Sequence, residues 1–152
     1  MAVFSNWFPA PFVDPKDGVK YNNTEQYMMR YKALTFNDRG SADAIMATDD
    51  PALQKSIGRQ VKGYDDDVWT KRSQDVVYEG NLLKYTQNPR LLKILKDTGD
   101  AILVEASPTD TRWGIGLKAD SPKARDMRQW RGENWLGIAI MRVWDTVYAK
   151  NL

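Results

Sequence analysis

The stretch YNNTEQYMMRYKA, residues 21–33, sets a carboxylate, Glu25, seven positions ahead of an amine, Lys32. Seven positions are about two turns of α-helix, so on a helix the two groups share one stripe with Met28 or Met29 between them. The residue types start a helix here: Asn22 with Glu25, or Asn23 with Gln26, has capping-box spacing. Glu25 then lies in the first turn, where the helix dipole favours its ionised form. A carboxylate can move a proton or steady a developing cation, and an amine can attack carbon or bind an anion. The bland alternative is a glutamate that only complements the dipole beside a solvated lysine, and spacing alone favours it.

Composition bounds what else the chain can offer. Its 152 residues contain no His and no Cys. That removes disulfides, thiol nucleophiles, Cys/His zinc sites and every Ser–His or Cys–His pair. Acid–base work falls to Asp, Glu, Lys or Tyr, and an all-oxygen Mg²⁺ or Ca²⁺ site is left open. The net charge is +2, with no run of like charges that would make an electrostatic nucleic-acid binder. Six Trp and seven Tyr are many for this length, and they suit either a core or walls around a flat ligand. No apolar run approaches the ~20 residues of a membrane span, and MAVFSNWF lacks the form of a signal peptide. The expectation is a cytoplasmic protein without membrane contact.

Three further stretches carry groups suited to a ligand. VEASPTDTRWGIG, residues 104–116, follows Glu105 with Asp110, then Trp113 and Gly114. Glycine lets backbone approach a ligand and a Trp face can stack on a nucleobase; the plain reading is a loop with Trp113 as a core plug. In GRQVK, Arg59 suits bidentate phosphate binding or a helix-end charge. In GENWLG, Asn134 is either the cap of a last helix or a ligand contact.

The elements that must position these groups are mostly helices. Residues 1–20 read as loop, rich in Pro and Gly. Helices are predicted over 22–36, over 42–48 with Ser41 as cap, and over 51–61 opened by Asp50–Pro51. GYDDDVW is a polar break before a helix from Val68 to Thr86, with Trp69, Val76, Val77, Leu83 and Tyr85 as buried face. Another helix runs from Pro89 toward Gly99, and AILVE, residues 101–105, reads as the one buried strand. The last helix spans about 134–149, with Leu136, Ile140, Val143, Trp144 and Val147 at helical spacing. No repeat or linker divides the chain, so a single mostly α domain over 1–152 with a small β element is expected.

In order, FSNWF, NNTEQYMMRYKA, IGRQVK, NLLKYTQNPRLLKILKDTG, LVEASPTDTRWGIG and GENWLG resemble the NADAR, or YbiA-like, family from residue 4 to about 144. The resemblance implies orthogonally packed helices and an N-glycosidase; with no His or Cys, and a reaction that carboxylates can run alone, no cofactor or metal is expected. Some relatives hydrolyse early riboflavin-pathway intermediates, and others remove ADP-ribose from guanine. Both substrates carry a nitrogen leaving group on C1 of a phosphorylated ribose. The implied partner is a small nucleotide or ADP-ribosylated guanine, free or within nucleic acid; the oligomeric state is not implied. The alternative is a non-catalytic module that binds ADP-ribose or NAD. Two departures stand out: relatives often carry a strand and Gly turn before the SN motif, and often His where this chain has Gln26.

Carried onto this sequence, the resemblance assigns catalysis to Glu25, Lys32 and Asp110. Glu25 activates water or steadies the oxocarbenium-like transition state of C–N cleavage. Lys32 either anchors phosphate or ribose, or attacks C1 and forms a Schiff base. Asp110 and Glu105 bind ribose hydroxyls or hold the loop. Trp113 stacks on base or sugar. Ser5, Asn6, Arg59, Gly114 and Asn134 are the remaining substrate-binding candidates.

Overall fold

The computed structural model describes residues 2–148. The chain is mostly α with one small sheet. It gathers into two compact units, one ending at Leu95 and one beginning at Lys96.

The first unit begins with the sheet. β1 (Phe12–Val13) runs antiparallel to β2 (Lys20–Tyr21), with Phe12 opposite Tyr21. This is the small β element, about eighty residues earlier in the sequence than the stretch that reads as a strand. α1 (Thr24–Thr35) follows at once. Of the two capping arrangements, the second is used: Asn23 Oδ1 accepts from the Gln26 backbone N–H at 2.7 Å. The Gln26 side chain is itself buried. It accepts from the Asn22 backbone and donates to the carbonyls of Ile45 and Thr48. An amide that both accepts and donates explains Gln26 at this place as a tie between α1 and the end of α2.

α2 (Arg39–Met46) is capped by Asp38, not Ser41. The carboxylate takes the Ser41 N–H at 3.1 Å, and the Ser41 hydroxyl also donates to it. A charged acceptor one turn earlier outcompetes the hydroxyl as cap. α3 (Pro51–Arg59) starts on Asp50 and Pro51, as the sequence suggests. α4 (Asp66–Thr86) is capped by Asp65, inside the polar break.

α1 packs against α2, α3 and α4. Its Tyr27, Met28, Met29 and Ala33 are buried. The approach of α1 to α4 requires Gly80, because a Cβ there would lie 2.7 Å from Tyr27 Cδ1. The inward face of α4 differs from expectation. Trp69, Val76, Val77 and Tyr85 are buried as expected, but Leu83 is only half-buried while Ser73, Asn81 and Lys84 point inward. The interior at this end of α4 is polar, which an apolar-periodicity argument cannot detect. α5 (Pro89–Asp97) follows after a short turn.

The second unit contains α6 (Trp135–Val147) and a long loop with two short 3-10 turns, Pro122–Arg125 and Met127–Gln129. The expected buried strand over 101–105 is not formed: the stretch has no ladder partner, and Ile102 is 58% exposed. Its backbone instead pairs with a side chain and a loop, Leu103 and Glu105 with Asn134 and Glu105 with Ile115. In α6, Leu136, Ile140 and Val143 are buried, whereas Trp144 and Val147 are half-buried. The end of the helix expected at 149 lies outside the described residues. No helix among them is long and apolar enough to cross a membrane.

Candidate active site

In the first unit the chain folds the Ser5–Asn6 turn against the start of α1. The Asn6 carbonyl accepts the Glu25 backbone N–H at 3.0 Å and the Thr24 hydroxyl at 3.1 Å. Asn6 Oδ1 accepts from Thr24 at 2.9 Å and from Asn81 Nδ2 at 3.4 Å. Ser5 Oγ accepts the Trp7 N–H and so shapes the turn. Three elements therefore converge on the backbone that carries Glu25: the N-terminal turn, the first turn of α1 and the last turns of α4. Glu25 is 6% exposed.

Lys32 lies two turns on, half-buried. Its Nζ sits 4.6 Å from the centroid of the Tyr64 ring, a cation–π contact. Phe36 meets the same ring edge-on at 5.4 Å, and the Tyr64 hydroxyl donates to Asp66 at 2.7 Å. Tyr64 belongs to the stretch that reads in sequence as a polar break, so its aromatic contribution to the amine's surroundings is not legible there. Arg59 closes α3 and is exposed.

The sequence also gives no hint of Lys84. It has no exposed surface, and its Nζ donates to the Val3 carbonyl at 2.7 Å and the Ser5 carbonyl at 3.1 Å. The rings of Tyr85 and Phe8 flank it at 5.0 and 5.8 Å. Burial lowers its pKa to about 7.

In the second unit the remaining candidates form one loop-and-helix knot. Asp110 Oδ1 accepts the backbone N–H groups of Arg112 at 3.0 Å and Trp113 at 2.8 Å. Those bonds give Asp110 a clear task in shaping the loop that presents Trp113. The Trp113 ring, half-buried, stands edge-on to Trp135 at 5.5 Å and 89°, and the Arg112 guanidinium lies over that second ring. Gly114 is required by the loop itself, since a Cβ would come within 2.8 Å of the Glu105 carbonyl and 2.9 Å of the Asp110 carbonyl.

Asn134 occupies the cap position of α6 but makes no side-chain cap. Its φ of 55° lies in the left-handed region, which Asn tolerates. Its amide instead clamps the chain before the loop, donating to Leu103 O at 2.9 Å and accepting from Glu105 N at 3.0 Å. The N–H groups of Asn134, Trp135 and Leu136 go to the carbonyls of Gly114, Arg112 and Trp113. This helix N-terminus therefore has its donors engaged by the loop. Among the described residues no group of three acidic side chains could hold a metal ion.

A mostly α domain here buries the carboxylate Glu25 on a helix that carries the amine of Lys32 two turns on. The profile of the NADAR domain matches residues 1–147. N-glycosidase R617 of Acanthamoeba polyphaga mimivirus is 41% identical over 144 residues, which cover 93% of this chain and 85% of that protein. The chloroplastic riboflavin biosynthesis protein PYRR of Zea mays is 28% identical over 151 residues, covering 93% of this chain but 22% of that protein. The NMR structure of the E. coli protein YbiA matches with a TM-score of 0.78 at 23% identity, over 98% of this chain and 79% of that one, a likeness of fold. The chain belongs to the NADAR family.

Proposed function

We propose that this protein is an N-glycosidase. It would cleave the bond between C1 of a phosphorylated ribose and a nitrogenous base, with ADP-ribosylated guanine or riboflavin-pathway intermediates as the substrate class. The observation that carries this reading is Glu25, a carboxylate 6% exposed in the first turn of α1, seven residues ahead of Lys32 on the same helix. The similarity to an N-glycosidase over nearly the whole chain supports it.

Cleavage of a ribosyl C–N bond develops positive charge on the sugar, and a fixed carboxylate stabilises that charge. Lys32 acts as a nucleophile in the same reading. Its amine attacks C1 as the bond to the base breaks; Glu25 takes one amine proton and passes it to the departing nitrogen. The ring oxygen then leaves C1 and becomes a hydroxyl, giving an imine. Water hydrolyses the imine, restoring the amine and freeing the sugar. Arg59 takes phosphate, and Asp110 holds the Trp113 loop.

The test is to incubate the protein with ADP-ribosylated guanosine and, separately, with the riboflavin intermediates, and to read released base by mass spectrometry. Borohydride added during turnover should trap a sugar adduct on Lys32. Lys32→Arg should lose both adduct and turnover. Release of no base from either substrate class would refute the activity. An active Lys32→Arg with no adduct would leave direct attack by water and reduce Lys32 to an anchor.

A further inference from the structure

Lys84 is a costly residue to keep. A side chain with no exposed surface carries an amine, and its hydrogen bonds go to two backbone carbonyls rather than to a carboxylate. Burying such a group is unfavourable unless its donors are satisfied, and an apolar side chain of the same length would fill the space without that cost. What the amine does that an apolar group cannot is bind the carbonyls of Val3 and Ser5 at once, about 80 positions away along the chain. One residue further, the Asn6 carbonyl receives the Glu25 N–H. Asn81, one turn before Lys84 on α4, reaches the Asn6 side chain.

We infer that Lys84 is a positioning residue for the active site: by fastening the Val3–Ser5 backbone it fixes the Asn6 carbonyl against the first turn of α1 and thereby sets where Glu25 stands. The geometry is a short relay, Lys84 to Ser5, Ser5 to Asn6, Asn6 to Glu25, in which every link is a covalent neighbour or a hydrogen bond. The depressed pKa agrees with it, because a neutral amine still has two N–H donors for two carbonyls and pays less for burial. Lys84 has no exposed surface, so it acts through the turn and not on substrate. The functional part of this inference rests on Glu25 being the working carboxylate.

The test compares the parent with Lys84→Met, which keeps an unbranched stem and loses the donors, and with Lys84→Gln, which keeps one amide donor group. In folded Lys84→Met, hydrogen exchange at the Glu25 amide should quicken ~10-fold or more while the Ile45 amide in α2 is unchanged. With an active substrate, kcat should fall ~10-fold or more with KM within ~3-fold, since the loss is of carboxylate placement and not of substrate contacts. Lys84→Gln should lie between parent and Met, and it carries the exchange measurement if Lys84→Met does not fold. An unchanged Glu25 amide in the folded variant, or a faster one with parental kcat, would overturn the inference. If the parent releases no base from either substrate class, the N-glycosidase reading fails, and the exchange of the Glu25 amide alone decides for or against Lys84.

Discussion

The buried amine of Lys84 should make the protein more stable as pH rises above neutrality, the same direction that salt-bridged carboxylates produce but in a window far above their acid range. An ordinary lysine has a pKa of 10.5, and burial lowers that of Lys84 to about 7. Between those values the unfolded chain holds a proton that the folded chain has released. Unfolding therefore takes up a proton, and stability grows with pH in that window. The sign follows from the direction of the shift: the penalty for burying the charge is fully present below pH 7 and fades as pH climbs toward 10.5. At ~1.4 kcal/mol per pH unit, the full penalty is ~5 kcal/mol, and about 2 kcal/mol of it should disappear between pH 7 and pH 9. Above pH 10 the trend reverses, because burial raises the pKa of Tyr21 to about 12 and pushes Tyr27 and Tyr85 well above the ordinary value of 10. The unfolded chain then loses protons that the folded chain keeps. Urea unfolding followed by tryptophan fluorescence at pH 7, 8 and 9 measures the slope, and Lys84→Met, with nothing to titrate, should flatten it. A parent whose stability does not rise over this range, or a Lys84→Met variant with the parental slope, would refute the argument.

Three other outcomes follow from the geometry. Glu25→Gln should keep the fold, because the backbone N–H of residue 25 and not its side chain meets Asn6, and should lose ~10²-fold or more of turnover; a folded variant within a few-fold of the parent would remove Glu25 from the mechanism. Asp110→Asn keeps an oxygen for the Arg112 and Trp113 N–H groups and should stay within a few-fold of parental activity, whereas Asp110→Ala should lower stability by ~2 kcal/mol as both bonds go. A stable Asp110→Asn that is inactive would return Asp110 to direct chemistry. Trp113→Ala removes a half-buried ring and its edge contact with Trp135, so thermal denaturation should show a loss of ~2 kcal/mol, below the ~3–5 of a fully buried tryptophan; a loss at the upper end of that range would mean the ring is a core plug.

The helices were legible because their starts are written in single residues. Asn23, Asp50 with Pro51, and the acids before α4 each supply an acceptor for orphan N–H groups, and each opens a helix in the structure. Asp38 shows the limit of that code: it and Ser41 are both good caps, and only the fold decides between them, partly through a bond from the distant Lys62 N–H. The run AILVE has every local property of a buried strand, yet a strand exists only where another chain segment offers it a ladder. Asn134 takes the carbonyl of Leu103 and the N–H of Glu105 instead. No count of β-branched residues could foresee that.

The candidate site divides in the same way. Glu25 and Lys32 were visible because a helix makes residues seven apart neighbours, a rule needing no knowledge of the fold. Their supports were not visible, because each reaches across a long stretch of chain: Asn6 to Thr24 and Asn81, Lys84 to Val3 and Ser5, Lys32 to the ring of Tyr64. A lysine near the end of an amphipathic helix reads as a solvated charge, and nothing local distinguishes one that turns inward. The distinction is energetic. A core position given to Lys84 instead of leucine costs stability near neutral pH, and the proposed reaction needs its carboxylate placed where charge develops. Spending stability on the turn that fixes Glu25 is the physical sense of a buried amine at this end of α4.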